Sequence, residues 1–329
     1  MCPKVRTWSD VRSGRRSGVR PYAYAELGGR DLGVVRVAGP GLGNMLFPWA
    51  RFVLGVRRYG LQPVAPTWRQ LKVGPLLRGE RDLRSYSRLF QSVPDYLTGV
   101  ARLRILATAA RLEEPAEEPA ANLDPRGVVI YRGVRDYFVP LSGHHALLRR
   151  EFARAVRREI KRSIPCGPCQ AIAIHVRLGD FAPPDVAGSH RESDANVRMP
   201  LQWYVDTLRQ IRGHLGGSLA ANVFSDGRLH ELAPVLQEPS CRRVCYGSSV
   251  ADMLAMSQHA CLVASNSSFS MWACFLGQVP VIRPSSEMEG RLIAREGGEA
   301  TVPPGAEVPR AWIESVRKHC ERRVSWLDQ

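Results

Sequence analysis

The sequence predicts an α/β protein with two doubly wound domains that face each other across a cleft. Its 329 residues are too many for one ordinary core and suit two. In the second half, short apolar runs alternate with helical patterns, which indicates a parallel sheet covered by helices. The content of 44% hydrophobic and 23% charged residues is typical of a soluble globular protein.

The charge and the lack of long apolar runs narrow the class of partner. A formal net charge of +15 allows a nucleic-acid partner. However, arginine supplies all but four of the 46 basic residues, and they are scattered along the chain, so an anionic small ligand is favoured. No apolar run approaches the ~20 residues that span a bilayer, and the N-terminus lacks the apolar segment of a secretory signal. We expect a cytoplasmic protein and leave peripheral membrane contact open.

The chain divides into three segments. Residues 1–30 are basic and rich in Gly and Ser, which predicts a flexible extension. An N-terminal α/β domain is expected over residues 31–165. A C-terminal α/β domain is expected over residues 166–329, with "SIPCGPC" marking the boundary.

The first domain offers one well-marked helix among weaker signals. The stretch "NMLFPWARFVLGVRRYG" predicts a helix capped by Asn44 and closed by Gly60, with Pro48 in its first turn. The strand "LGVVRVAG" and the tight loop "GPGLGN" precede that helix. The strand "LQPVAPTW", the helix "DLRSYSRLFQ", an acidic proline-rich loop, the strand "GVVIYRGV" and a helix from His145 to Arg162 follow it.

The second domain is easier to predict. Five apolar runs predict strands: "AIAIHV", "ANVFSD", "RRVCYG", "ACLVAS" and "VPVIRP". Three patterns between them predict helices: "PLQWYVDTLRQIRGHLGG", "SSVADMLAMSQ" and "SFSMWACFLG". In such a sheet, ligands bind beyond the carboxyl ends of the strands.

The eight cysteines favour free thiols, because no secretory signal points to an oxidising compartment. Two pairs, Cys166 with Cys169 and Cys241 with Cys245, could together bind a structural zinc ion through four thiolates. The spacing of the second pair is loose and the first resembles a redox motif. Reduced cysteines without a function are the favoured interpretation.

Polar side chains follow three of the predicted strands. Arg177 comes directly after "AIAIHV", where a guanidinium suits the oxygens of a phosphate, and His175 lies beside it. Ser225 and Asp226 end "ANVFSD", where a carboxylate can accept from a ribose hydroxyl or a guanine edge. An ordinary surface arginine and an ordinary helix-capping aspartate are the alternatives.

The stretch "SNSSFS" joins a predicted strand to a predicted helix. Unpaired backbone N–H groups at a helix start attract anions, and nearby hydroxyls add donors. Serine capping that needs no ligand is the alternative. Near the N-terminus, the glycines of "GPGLGN" allow a ligand to approach the backbone closely, although the stretch is neither a complete GxGxxG nor a Walker loop.

Five segments follow one another along the chain in a recognisable order: "GPGLGNMLFPWA", "YRGVRDYF", "HVRLGD", "VFSDG" and "ASNSSFSMWACFLG". Together they resemble the α-1,2-fucosyltransferases of glycosyltransferase family 11. The resemblance covers roughly residues 33 to 285. It implies a GT-B-like fold, a GDP-fucose donor, a hydroxyl of a glycan or small molecule as acceptor, and inverting transfer of fucose. It implies no cofactor and no catalytic metal.

Carried over to this chain, the resemblance implies a role for each matching residue. Arg177 would bind the pyrophosphate with His175 beside it, and Ser225 and Asp226 would hold the nucleoside. Asp185, or Asp180, would act as the base. The remaining donor-binding residues would be Asn266, Ser267, Ser268 and Phe269 in the second domain and Gly41, Gly43 and Asn44 in the first.

The chain departs from the family pattern at three places. Leu178 stands where a second arginine is usual, Gly227 where a second aspartate is frequent, and Met271 where a tryptophan pair is usual. These departures keep two alternatives open. One is a transferase that uses another nucleotide sugar on the same scaffold, and the other is a non-catalytic basic protein that binds nucleic acid or another anion.

Overall fold

The computed structural model describes residues 20–71, 85–115, 124–179, 198–285, 292–293 and 296–322. The predicted α/β class is confirmed, because two parallel sheets are covered by helices. The helices are α1 (Leu42–Tyr59), α2 (Gly99–Thr108), α3 (His145–Ala155), α4 (Arg158–Arg162), α5 (Leu201–Leu215), α6 (Ala233–Leu236), α7 (Ser249–Met256), α8 (Ser268–Gly277) and α9 (Arg310–Arg322). The strands are β1 (Tyr22–Glu26), β2 (Arg30–Asp31), β3 (Arg36–Val37), β4 (Gln62–Val64), β5 (Gln70–Leu71), β6 (Arg111–Glu113), β7 (Val128–Arg132), β8 (Cys169–Val176), β9 (Ala221–Ser225), β10 (Cys241–Arg243), β11 (His259–Ala264), β12 (Val281–Arg283) and β13 (Glu299–Thr301).

The first sheet has the strand order β4-β1-β7-β6, and all its strands are parallel. β1 lies inside this sheet and pairs along its whole length with β7. The predicted flexible extension over residues 1–30 is therefore wrong from Tyr22 onward, while residues 1–19 lie outside the described part. The alternation of Tyr and Ala in β1 hides the strand, because small alanines carry little hydrophobic signal although they are completely buried here.

The predicted strand "LGVVRVAG" shrinks to the two residues of β3, which belongs to a small sheet with β2 and β5. The cause is Arg36, whose side chain is completely buried. Its guanidinium donates to the carbonyl oxygens of Leu27, Gly28 and Thr67 at 3.1, 2.8 and 2.6 Å. A buried arginine needs such acceptors, and they turn the chain here instead of extending it.

Two further predictions in the first domain fail for one tertiary reason. Within the predicted helix "DLRSYSRLFQ", none of the described residues 85–91 is helical: residues 87–89 form a turn and Phe90 forms a β-bridge. The predicted helix His145–Arg162 is interrupted between α3 and α4. At that point Val156 bridges Phe90, Gln91 N–H donates to the Ala155 carbonyl, and Arg157 N–H donates to the Leu89 carbonyl. The two segments satisfy each other's backbone groups and so neither stays helical.

The second sheet has the strand order β10-β9-β8-β11-β12-β13, with every pair parallel. All five predicted strands and all three predicted helices are present. The order reverses between β8 and β11: the chain leaves β8 toward β9, and it leaves β11 toward β12. Such a switch point opens a crevice at the carboxyl ends of the two strands.

The two sheets are joined through α1 and α8. Phe47 of α1 lies 5.2 Å from Trp272 of α8, between ring centroids, and Phe138 lies 4.9 Å from Phe47 and 5.1 Å from Trp272. One continuous hydrophobic core includes residues of both sheets. Within the described residues, no helix is both long enough and apolar enough to cross a membrane.

At Gly55, helix α1 approaches the first sheet closely, and a substitution there can test this contact. A methyl group at this position would overlap the Tyr131 hydroxyl of β7, which is buried without a hydrogen-bond partner among the described groups. We expect Gly55→Ala to lower the free energy of unfolding by about 1–3 kcal/mol, as overpacking does, although Ala normally favours a helix. Denaturant titration measures the change.

The matched control is Tyr131→Phe, which removes the hydroxyl oxygen, the atom that overlaps most, and leaves the ring carbon Cζ 2.5 Å from the methyl position. It should be close to neutral alone and should restore part of the stability of Gly55→Ala in the double variant. A Gly55→Ala protein as stable as the wild type would show that α1 can accommodate a methyl group against Tyr131.

Candidate functional site

The switch point of the second sheet places two of the predicted site segments side by side. Ala264, at the end of β11, pairs with His175 of β8, and Ser265 N–H donates to the His175 carbonyl at 3.2 Å. Arg177 therefore leaves the sheet beside the loop that leads to Ser267. The carboxyl end of β9 follows on the other side of β8, because Val176 pairs with Ser225. Three strand ends converge as the sequence predicts.

Asp226 holds the loop that follows β8. One carboxylate oxygen lies 2.5 Å from Nη1 of Arg177, and the other accepts the backbone N–H of Leu178 at 2.9 Å. A methyl group on Gly179 would overlap this carboxylate, with 3.1 Å to its Cγ, so the loop can approach only as glycine. Asp226 thus fixes the position of Arg177 by a charge-assisted pair and a backbone hydrogen bond.

The two main departures from the family pattern touch each other. Leu178 is 4% exposed and belongs to the core of the second sheet. A methyl group at Gly227 would overlap the Leu178 side chain, whose Cγ lies 3.2 Å from the methyl position. Leu178 is therefore an apolar plug between the loops after β8 and β9, and Gly227 provides the room for it.

His175 is buried and is a neutral imidazole near pH 7. Burial lowers the pKa of His175 to about 4, against the opposing influence of Asp226 and with the help of Arg177. Its Nδ1 is hydrogen-bonded to the Ser265 hydroxyl at 3.0 Å, and its ring lies 5.4 Å from the Phe269 ring. The lowered pKa favours the neutral imidazole near pH 7.

The start of α8 lies beyond the end of β11. Ser267 is the N-cap, and its hydroxyl accepts the N–H of Phe269 at 3.3 Å. Ser267, Ser268, Phe269 and Asn266 are all half-buried. No acidic residue occupies the first turn, so nothing on the helix itself offsets the positive end of its dipole.

The glycine loop of the first domain lies directly against this helix start. The Ser268 hydroxyl donates to Oδ1 of Asn44 at 2.6 Å. A methyl group on Gly43 would lie 2.5 Å from the Ser268 hydroxyl oxygen and 2.7 Å from the Phe269 nitrogen. The first turns of α1 and α8 are therefore in contact, and neither carries an acidic residue.

The predicted capping of α1 by Asn44 is wrong. The helix begins at Leu42 with Gly41 as its N-cap, so Asn44 lies in the first turn and Pro48 lies inside the helix. Proline has no N–H to donate to the carbonyl four residues earlier, which here belongs to Asn44. The side chain of Asn44 is instead available to bond Ser268 across the domain contact.

A strained turn after β7 is a feature that the sequence analysis missed. Three successive non-glycine residues have a positive φ: Arg135 (37°), Asp136 (53°) and Tyr137 (44°). A left-handed conformation costs about 1–2 kcal/mol for an ordinary residue. The single sequence signal is Gly133, also with positive φ (68°), just before them. The turn lies at the carboxyl edge of the first sheet, because Arg132 ends β7 beside Glu26 of β1.

The remaining predicted residues have other environments. The Ser225 hydroxyl accepts the Gly227 N–H at 3.0 Å, which is local turn capping. The predicted bases Asp180 and Asp185 lie outside the described residues.

The predicted zinc site over Cys166, Cys169, Cys241 and Cys245 is not formed. None of these four is in a disulfide, and the described chain contains no group of three or more His, Cys, Asp or Glu side chains that could hold a metal ion. Cys169 lies in β8 and Cys241 in β10, with β9 between them. Two strand spacings amount to about 9–10 Å, whereas two thiolates of one zinc ion, each about 2.3 Å from the metal, lie at most about 4.6 Å apart.

Comparisons with known proteins give only remote similarity. No known protein family and no curated protein matches the chain. A structure of the NodZ α-1,6-fucosyltransferase soaked with GDP-fucose is 15% identical, with a TM-score of 0.49 over 83% of this chain and 98% of that one. FUT1 from Arabidopsis thaliana in complex with GDP is 12% identical, with a TM-score of 0.45 over 86% and 74% of the two chains. A glycosyl transferase family 9 protein from Veillonella parvula is 12% identical, with a TM-score of 0.39 over 92% and 90%. Similarity this remote assigns no activity.

Two glycines of the same loop make a matched test of the contact between α1 and α8. Gly43→Ser should lower the free energy of unfolding by about 1–3 kcal/mol, because its side chain has no room against Ser268. Gly41→Ser should be neutral or stabilising by up to about 1 kcal/mol, because that position is open and serine is a preferred N-cap. Thermal or denaturant unfolding compares them, and equal losses would refute the close contact.

Leu178 and Gly227 should be energetically coupled. Leu178→Ala should cost about 2–5 kcal/mol by leaving a cavity, and Gly227→Ala about 1–3 kcal/mol by overpacking. The new methyl group should partly fill that cavity in the double variant. We therefore expect a loss below the sum of the single losses by about 1–2 kcal/mol, as for residues in contact.

The control pairs Leu178→Ala with Gly213→Ala, a position on α5 with open space. That pair should be additive in a denaturant double-mutant cycle. If the stability losses of Leu178→Ala and Gly227→Ala were additive, the two residues would not be packed against each other as described.

Proposed function

We propose that this protein is a glycosyltransferase that takes a sugar from a nucleotide diphosphate donor and transfers it to a hydroxyl group. One observation carries the proposal: Arg177 and the N-termini of α1 and α8 converge at the switch point of the second sheet. Each helix N-terminus presents backbone N–H groups and the positive end of a dipole. Together with a guanidinium, they suit the adjacent negative charges of a pyrophosphate.

The chemistry follows from the same geometry. The acceptor oxygen forms a bond to the anomeric carbon, while the bond from that carbon to the β-phosphate oxygen breaks and its electron pair leaves with the nucleoside diphosphate. Fixed donors aimed at the leaving oxygen stabilise the charge that builds there. Asp226 supports this role by holding Arg177 in place. The acceptor proton must reach a base, for which Asp185 or Asp180 remains our proposal.

Donor and linkage rest on the sequence resemblance. We propose GDP-fucose as the donor, inverting transfer without a metal, and an α-1,2 linkage to a glycan or small-molecule acceptor, in the cytoplasm. Asp226 would also contact the nucleoside. The second candidate is a transferase for another nucleotide sugar, and it stays open because Leu178 stands where the family usually has a second arginine.

A donor screen tests the proposed function. Purified protein is offered GDP-fucose, GDP-mannose and UDP-sugars, and released nucleotide is measured with calorimetric binding of GDP and UDP. We expect tight GDP binding, weak UDP binding and turnover of GDP-fucose. Turnover of another donor supports the second candidate. Absence of GDP binding, or salt-sensitive nucleic-acid binding without any turnover, contradicts a transferase.

Arg177→Ala should weaken GDP binding by about 10- to 150-fold. The basis is the loss of a hydrogen bond to a charged group, about 1.5–3 kcal/mol. Isothermal titration calorimetry measures the dissociation constant. The matched control is Arg209→Ala, which removes an arginine that is also paired with a carboxylate, Glu238 at 2.6 Å, but on the exposed face of α5. GDP binding by Arg177→Ala equal to that of the control would refute the assigned phosphate contact.

A further inference from the structure

The strained turn formed by Arg135, Asp136 and Tyr137 lies where the first sheet should bind a ligand. β1 and β7 are parallel neighbours, and Glu26 at the end of β1 pairs with Arg132 at the end of β7. The segments that follow the two strands therefore leave the carboxyl edge of the sheet side by side, which is the edge where parallel sheets bind their ligands. The first segment leads to the start of α1, which contacts the proposed donor site through Gly43.

Aromatic contacts fix the distance of the turn from that donor site. The Tyr137 ring lies 5.8 Å from the Phe47 ring, centroid to centroid, and Phe47 is one helical turn after Asn44. The next residue, Phe138, packs against both Phe47 and Trp272. The turn is thus held against the second turns of the two helices whose first turns meet at Ser268.

A buried arginine fixes the three residues that lead from β7 into the strained turn. Arg51 of α1 is 4% exposed and donates to three successive carbonyl oxygens, those of Arg132, Gly133 and Val134, at 2.7, 2.9 and 2.8 Å. Glu114 pairs with Arg51 at 2.9 Å and also with Arg135 of the turn at 3.6 Å. The Arg51 bonds fix the direction in which the chain leaves β7, and the strained residues follow directly. Backbone strain of this kind concentrates at functional sites.

The side chains on the turn suit a sugar. The exposed Asp136 carboxylate and the Arg135 guanidinium provide an acceptor and planar donors for hydroxyl groups, and the half-buried Tyr137 provides an aromatic face. Glycine would adopt a positive φ here without strain, yet the chain carries three functional side chains. We propose that residues 135–137 bind the acceptor, a polyhydroxylated molecule, with Asp136 accepting a hydrogen bond from one of its hydroxyls. This inference rests on the proposed function.

The experiment separates acceptor binding from donor binding. A panel of free mono- and disaccharides is first tested with the wild-type protein and the donor that it turns over, and the best acceptor is kept as the probe. For Asp136→Asn we expect an acceptor KM at least about 10-fold higher, the loss expected for a hydrogen bond to a charged group. The GDP dissociation constant and the rate of donor hydrolysis by water should stay within about twofold of wild type.

Two companion variants distinguish recognition from folding. Asp136→Gly relieves the backbone strain and should raise the Tm by about 1–2 °C, yet it should raise the acceptor KM as much as Asp136→Asn does. A merely structural turn would instead retain its KM. The control, Asp124→Asn, removes an exposed aspartate just before β7, at the opposite edge of the same sheet, and should change neither quantity.

The outcomes of this experiment are distinguishable from failure of the proposed function. Loss of GDP binding in the wild type refutes the donor site itself. Normal donor turnover with an unchanged acceptor KM in both Asp136 variants refutes only the acceptor-binding turn. The wild-type protein could also hydrolyse its donor but transfer the sugar to no saccharide of the panel. That result would contradict the proposal that residues 135–137 bind a polyhydroxylated acceptor.

Discussion

The contact between the first turns of α1 and α8 is the constraint on which the rest of the structure depends. Gly43 lies against Ser268 so closely that no side chain fits between them. Because α1 follows β1 and α8 follows β11, this single contact brings the carboxyl edges of two parallel sheets together. It also places two positive helix ends side by side, with no acidic residue in either first turn. Two positive helix ends at this distance repel each other unless an anion or water lies between them.

The loops around this contact are positioned by pairs in which one partner is a glycine. Gly179 makes room for the Asp226 carboxylate, and Gly227 makes room for Leu178. The loops after β8 and β9 therefore interdigitate, and Arg177 is held at their junction. A position-by-position comparison with the family pattern counts Leu178 and Gly227 as two separate departures. In the structure the two residues pack against each other and form one unit.

How much the sequence could predict differs between the two halves for a physical reason. The strands of the second sheet are continuous buried apolar runs with clear helices between them, and Arg177 and Ser267 could be placed at its carboxyl edge from those runs. The assignment of Asn44 depended on the family resemblance. In the first half, the alanines of β1 give little hydrophobic signal. The break at Val156 depends on a partner about 65 residues earlier. The turn at Asp136 depends on positive φ values at three non-glycine residues, which their residue types do not indicate.

The charges on the proposed donor side are partly neutralised within the protein itself. Asp226 offsets the charge of Arg177, and burial keeps His175 uncharged near neutral pH. In the proposed donor site, the attraction for a pyrophosphate would come largely from oriented backbone N–H groups and from a guanidinium whose direction Asp226 fixes. Such groups need no reorganisation when charge develops on a leaving group, which is the condition under which electrostatic stabilisation is most effective. The proposed acceptor turn contributes an exposed carboxylate, Asp136, beside the exposed Arg135. An acceptor hydroxyl bound there would donate a hydrogen bond to Asp136, while the donors on the other side would stabilise the leaving group.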